Sequence, residues 1–117
     1  MARKCLIFVY GLLQTAHRPP RSVSAASPDA LRGDLYDLGE HPAAVRLGLG
    51  EETFEGELLE IDEDELPTLD EFEDTEGGEY VRKLVATESG ALAWAYEYLR
   101  EIPAGLARLK KWGGPGA

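Results

Sequence analysis

A chain of 117 residues fits one domain, residues 1–117, near the commonest domain size, and can bury one real core. Its hydrophobic fraction of 44% and charged fraction of 29% are ordinary for a globular protein, and no run approaches the ~18 apolar residues of a membrane helix, so no membrane partner is expected. The net charge of -10 argues against a nucleic-acid partner, which needs clustered Lys and Arg, and the lone Cys5 excludes an internal disulfide and suits a cytoplasmic protein.

Lys4 to Tyr10 predicts a strand, because Leu6, Ile7, Phe8, Val9 and Tyr10 are β-formers, apolar on both faces as in a central, doubly covered strand. The apolar run Cys5–Val9 follows Met1-Ala2-Arg3-Lys4 directly and has no small-residue cleavage site after it, unlike a signal peptide. Within that run Cys5 fits structural burial. Gly11 ends the strand, and Leu12 and Leu13 continue an apolar patch into a turn. Gln14 to Ala30 carries Pro19, Pro20 and Pro28 with little periodicity and reads as a long loop. Its His17, Arg18 and Arg21 could flank an anionic ligand, but solvation of a surface loop is the simpler account.

Leu31 to Leu38 alternates as a half-buried strand, Gly39 to Pro42 is a turn, and Ala43 to Leu47 is a short strand. Thr53 to Ile61 alternates more cleanly, and its Gly56 marks a bend or a close backbone approach. Residues 51–79 hold 15 of the 22 acidic residues and no Lys or Arg, which reads as a solvated face. Within it, Asp62-Glu63-Asp64-Glu65 lacks the spacing and central glycine of a calcium loop, and His17 and His41 lie far off in sequence, so no metal is expected. From Asp62 to Glu73 the period becomes helical: Leu66, Leu69 and Phe72 fall three apart, Asp62 or Asp64 can cap, and Pro67 suits the first turn.

Tyr80 to Thr87 is a strand, Glu88-Ser89-Gly90 a hairpin turn, and Leu92 to Leu99 its partner. The row Leu92, Trp94, Tyr96 and Tyr98 packs a core or lines a cavity mouth. Ala104 to Trp112 predicts a short basic helix, and Gly113 to Ala117 a frayed tail. Five or six strands with two short helices give an α+β domain, and a small barrel would remove its sheet edges.

No Ser-His-Asp constellation, Walker A motif or GxGxxG is visible. What remains is carboxylate chemistry near a glycine turn. Leu69 to Arg82 (LDEFEDTEGGEYVR) places Glu73 where the helix pattern stops, before a Gly77-Gly78 break and a strand. On spacing alone the favoured reading of Glu73 is an exposed glutamate of an acidic helix.

Four pieces in order carry a family resemblance: VYGLL at 9–13, GDLYDLGEHPAAV at 33–45, FEGELLEID at 54–62, and LDEFED at 69–74 followed by EYVR at 79–82 and AWAYEYL at 93–99. Together they resemble the gamma-glutamylcyclotransferase-like family, which includes gamma-glutamylamine cyclotransferases. The first is similar to the family's Tyr-Gly-(Ser/Thr)-Leu turn after strand one, and the third to its Gly-Glu-(Val/Leu)-Tyr strand. The resemblance implies a small mixed β-barrel with short helices packed around it. It implies a small-molecule γ-glutamyl substrate whose free α-amine attacks its own side-chain amide, giving 5-oxoproline and a released amine, with no cofactor. The family's catalytic glutamate maps onto Glu73 and its substrate-binding turn onto Tyr10, Gly11, Leu12 and Leu13. At a helix C-terminal end, Glu73 would have its pKa raised by the dipole.

Leu12 stands where the family has Ser or Thr, which a backbone-amide role accommodates and a hydroxyl role does not. Glu71, Asp74, Glu76 and Glu79 rival Glu73, Glu79 most strongly because the two glycines could shift the alignment. Tyr80 and Arg82 read as strand packing and a surface charge, outside the site. Two other functions stay open: a non-catalytic metabolite-binding member of the same fold, and an acidic interaction protein. No residue pattern sets an oligomeric state.

Overall fold

The strand predicted at the start of the chain, β1 (Lys4–Val9), is the middle strand of a five-stranded sheet. The structure is a computed structural model that describes residues 3–73 and 78–115. On one side of β1 lies β5 (Thr53–Asp62), antiparallel, with Lys4 opposite Asp62 and Val9 opposite Glu57. On the other side β7 (Leu92–Tyr98) runs parallel, with Ile7 opposite Trp94. The outer strands are β2 (Ala25–Arg32), paired with β5, and β6 (Tyr80–Ala86), paired with β7. A separate hairpin, β3 (Asp34–Asp37) and β4 (Pro42–Val45), completes the strands.

Alternation along β1 divides the interior in two, as apolar residues on both faces of a central strand require. Phe8, with Tyr10 beyond the strand, joins Leu31, Leu35, Phe54 and Trp112 on one face. Ile7 and Val9 join Leu59, Ile61, Leu66, Leu69 and Tyr96 on the other. Each fully buried large side chain contributes about 1.5–3 kcal/mol of transfer free energy. Gly56 is the close approach that its place in the strand suggested: a Cβ there would lie 2.3 Å from the Val9 carbonyl oxygen.

The acidic segment forms a 3-10 turn, Glu63–Glu65, then α1 (Leu66–Phe72) with Pro67 in its first turn. Neither Asp62 nor Asp64 caps it. The Asp62 carboxylate instead pairs with Lys4 Nζ at 2.6 Å. The Glu65 carboxylate accepts hydrogen bonds from the Arg21 and Ser22 backbone N–H groups at 2.7 and 2.9 Å, which ties the preceding loop to the helix start. Leu66 and Leu69 are buried, but Phe72, third on the stripe, is 43% exposed.

Several expectations are corrected. The loop expected to run to Ala30 gives way at Ala25 to strand β2. Pairing with β5 imposes that strand, and Pro28 is tolerated because β2 is an exposed edge. The strand expected over Leu31–Leu38 breaks at Gly33, whose φ of 145° no side chain adopts readily, and splits into β2 and β3.

Ala104–Trp112 is not a helix. Gly105 turns at φ 88°, Leu109 N–H donates to the Leu35 carbonyl at 2.7 Å, and Glu55 N–H donates to the Lys110 carbonyl at 2.6 Å. The segment is a strap that ends with Trp112 only 2% exposed, its indole N–H donating to Asp37 Oδ1 at 3.1 Å. Burying that ring outweighs the weak helix propensity of nine residues. Gly114, expected in the frayed tail, is buried beside His17. One α-helix is therefore present among the described residues, not two. The α+β class stands with a mixed sheet, and no described pairing closes it into the expected barrel: β2 and β6 are its edges.

Candidate active site

The β1 strand ends at Val9, and the chain turns through Tyr10-Gly11-Leu12-Leu13 at the floor of a cleft of about 160 Å3. The turn is held from within. Gln14 N–H donates to the Gly11 carbonyl at 3.1 Å, and Arg18 N–H to the Leu12 carbonyl at 2.7 Å. Leu13 is buried, and the buried Tyr10 hydroxyl donates to the Tyr96 carbonyl at 2.6 Å. Burial pushes the Tyr10 phenol well above its ordinary pKa, with the charges of Tyr80 and Glu73 adding to it. Tyr10 therefore braces the site, its hydroxyl hydrogen already committed to the Tyr96 carbonyl. Among the described residues none accepts a hydrogen bond from the backbone N–H of Gly11, Leu12 or Leu13. Gly11 is required by its neighbour: a Cβ would stand 2.8 Å from Pro42 Cγ.

Glu73 is the C-cap of α1, as the helix pattern indicated, and its N–H donates to the Leu69 carbonyl at 2.9 Å. Its half-buried side chain lines the same cleft as the Tyr10–Leu13 turn. Its pKa is raised from 4.5 to about 7, by burial first and then by the negative charge of Glu79. The direction matches the expectation; the causes are burial and Glu79, where the helix dipole was expected.

The position of α1, and so of Glu73, is fixed by Asp70 one turn earlier. Arg82 Nε donates to Asp70 Oδ1 at 2.8 Å and Arg82 Nη2 to Oδ2 at 3.2 Å, while the Tyr96 hydroxyl donates to Oδ1 at 2.7 Å. The guanidinium also lies 4.5 Å from the Trp94 ring centroid. Arg82, read from sequence as a surface charge, is the clamp between helix and sheet. Tyr96 faces the cleft, and its phenol pKa is raised by burial first, then by the Asp70 hydrogen bond.

The remaining wall was not read as part of the site. Tyr80, set aside as strand packing, lines the cleft with Glu79 and His41. The Tyr80 hydroxyl donates to the Pro42 carbonyl at 2.7 Å and meets His41 Nδ1 at 2.9 Å. Burial raises the Tyr80 pKa, and the charges of Glu73 and Glu79 add to it. Glu79 Oε1 lies 3.6 Å from His41 Nε2. The signal for Glu79 was present in its place before Tyr80. None existed for His41, which the turn between β3 and β4 carries in from 38 residues upstream in the chain, measured to Glu79. The rival Glu71 is exposed and does not line the cleft, whereas Asp74 and Glu76, with Gly77, lie outside the described residues. His17, Arg18 and Arg21 do not line the cleft.

A family model described as gamma-glutamyl cyclotransferase, AIG2-like, matches residues 7–113. The chain is 40% identical over 103 residues to the gamma-glutamylcyclotransferase family protein YtfP of Escherichia coli strain K12, covering 82% of this chain and 84% of that protein. It is 38% identical over 100 residues to the ytfP protein of Citrobacter rodentium, covering 82% and 83%. The solution structure of the E. coli ytfP protein matches with a TM-score of 0.62 at 36% identity, over 91% of this chain and 92% of that one. An AIG2-like protein from Mus musculus shares the fold, with a TM-score of 0.72 at 24% identity, over 97% and 92% of the two chains.

Proposed function

Because this chain belongs to the gamma-glutamyl cyclotransferase, AIG2-like family, we propose that it cyclises a γ-glutamyl group to 5-oxoproline and releases an amine, with Glu73 as general acid and base. The observation that carries this reading is one cleft lined by both Glu73, with its pKa near 7, and the amide-bearing turn Gly11–Leu13.

In the reaction the substrate's α-nitrogen forms a bond to its own γ-carbonyl carbon, and the bond from that carbon to the amide nitrogen breaks. Two protons pass from the attacking nitrogen to the leaving nitrogen, which departs as an ammonium. Nucleophile and electrophile share one molecule, so holding them in contact accounts for about 7–11 kcal/mol of the barrier. A carboxylate with a pKa near the working pH can take a proton and return it, for roughly 10²–10⁴-fold. The backbone N–H groups of Gly11, Leu12 and Leu13 would receive the substrate's α-carboxylate or the oxyanion of the tetrahedral intermediate. Leu12 is compatible with that role because the amide, not the side chain, does the binding. The chemistry needs no cofactor, and the cytoplasmic location expected from the lone Cys5 belongs to the same reading.

The test is mass-spectrometric detection of 5-oxoproline from a panel of γ-glutamyl amines and γ-glutamyl dipeptides. Product from at least one, lost in Glu73→Gln, supports the reading. Absence of product from every substrate, or a Glu73→Gln enzyme as active as wild type, overturns it.

A further inference from the structure

We propose, on the strength of that reading, that Glu79 is a second functional carboxylate of the cleft: it binds the α-ammonium group of the γ-glutamyl substrate.

The arrangement around Glu79 is built from both sides. Its own carbonyl accepts a hydrogen bond from Leu99 N–H at 2.9 Å, which pins its backbone to the end of β7. The next residue, Tyr80, is 6% exposed and packs edge-on against Tyr98 at 5.3 Å between ring centroids. The Tyr80 hydroxyl gives its single hydrogen to the Pro42 carbonyl at 2.7 Å, so the hydrogen in its 2.9 Å contact with His41 comes from Nδ1. That fixes the imidazole ring and turns Nε2 toward Glu79 Oε1, at 3.6 Å. With its hydrogen on Nδ1 the neutral ring presents only an acceptor at Nε2, so the Glu79 carboxylate keeps its capacity for a ligand's donors.

The charge balance of the cleft then has a gap. Glu73 and Glu79 both line it, and none of the described lining residues is Lys or Arg. Burial first, and then repulsion from Glu79, raises the Glu73 pKa. A ligand cation would relieve the same repulsion. The α-ammonium is the cation that every γ-glutamyl substrate carries, and its three N–H donors match acceptor-only carboxylate oxygens. The division of labour follows from the two environments. Glu73, half-buried with a raised pKa, exchanges protons, whereas Glu79, its backbone pinned by Leu99 N–H, offers a second carboxylate to the ligand.

The experiment compares two probes that differ only in the amino group, N-methyl-γ-glutamylamide and glutaric acid mono-methylamide. Calorimetric titration into the Glu73→Gln protein measures binding without turnover. Adding Glu79→Gln is expected to weaken the first probe by about ten- to a hundred-fold, the range of a hydrogen bond to a charged group, and to leave the second within about twofold. Retained binding of the amino-free probe shows that the variant site is folded. Equal losses for both probes, no loss for either, or no binding of either probe would overturn the assignment. If wild type yields no 5-oxoproline, the proposed reaction itself fails. If it does and the probes are not discriminated, only the ammonium role of Glu79 fails.

Discussion

Replacing Glu73 by glutamine removes a proton-binding group whose affinity the fold has raised, and the consequence is measurable in stability as well as in turnover. The folded pKa lies near 7 against 4.5 for the ordinary group. Below pH 4.5 both folded and unfolded chains hold the proton, and the group is neutral in either state. Between pH 4.5 and 7 the unfolded chain loses the proton while the folded chain keeps it, so stability falls as pH rises. At about 1.4 kcal/mol per unit, that window is worth up to about 3 kcal/mol. Glutamine has nearly the same shape and no proton to lose. Glu73→Gln should therefore match wild type within about 1 kcal/mol at pH 4 and be more stable by up to about 3 kcal/mol at pH 8. Urea unfolding of both proteins at pH 4, 6 and 8 reads this out, because groups shared by the two proteins cancel in the difference. A stability gap that does not change with pH would refute the argument that burial and Glu79 hold the carboxyl neutral.

Three other perturbations test separate parts of the structure. Gly11→Ala drives a Cβ to 2.8 Å from Pro42 Cγ, and the turn must shift. The expected result in the 5-oxoproline assay is a loss of about 10²-fold, the scale of a displacement near 1 Å at a reacting centre. Asp70→Asn removes the charge that holds Arg82 and weakens the tie between α1 and the sheet. Chemical denaturation should show a loss of about 1.5–3 kcal/mol, the range for hydrogen bonds to charged groups. Trp112→Ala empties a core position that is 2% exposed and should cost about 3–5 kcal/mol in the same assay, whereas an exposed basic helix would tolerate it.

The parts of the fold legible in the sequence are those dictated by local pattern. Ile7, Phe8 and Val9 announced a strand covered on both faces, and the switch from alternation to a three-residue period located α1 and left Glu73 at its end. The parts that were hidden depend on partners distant in sequence. Residues 25–30 look like loop because their strand is held by β5 and not by side chains of their own. The strap ending in Trp112 scores as a basic helix because periodicity cannot reveal that Leu35 and Asp37 await it. In the site, the Tyr10–Leu13 turn and Glu73 could be paired through family resemblance. His41 could not, since a histidine in a polar turn gives no sign of the tyrosine it will meet.

The central place of β1 also sets an order of events during synthesis. Its antiparallel neighbour, β5, begins at Thr53, and its parallel neighbour, β7, begins only at Leu92. Until that last strand has been made, one backbone edge of the most apolar segment of the protein has no partner. Pairings this distant close slowly, on millisecond-to-second scales for domains dominated by them. The growing chain therefore carries an open strand edge until β7 has been made, and that edge is where association with another chain would begin.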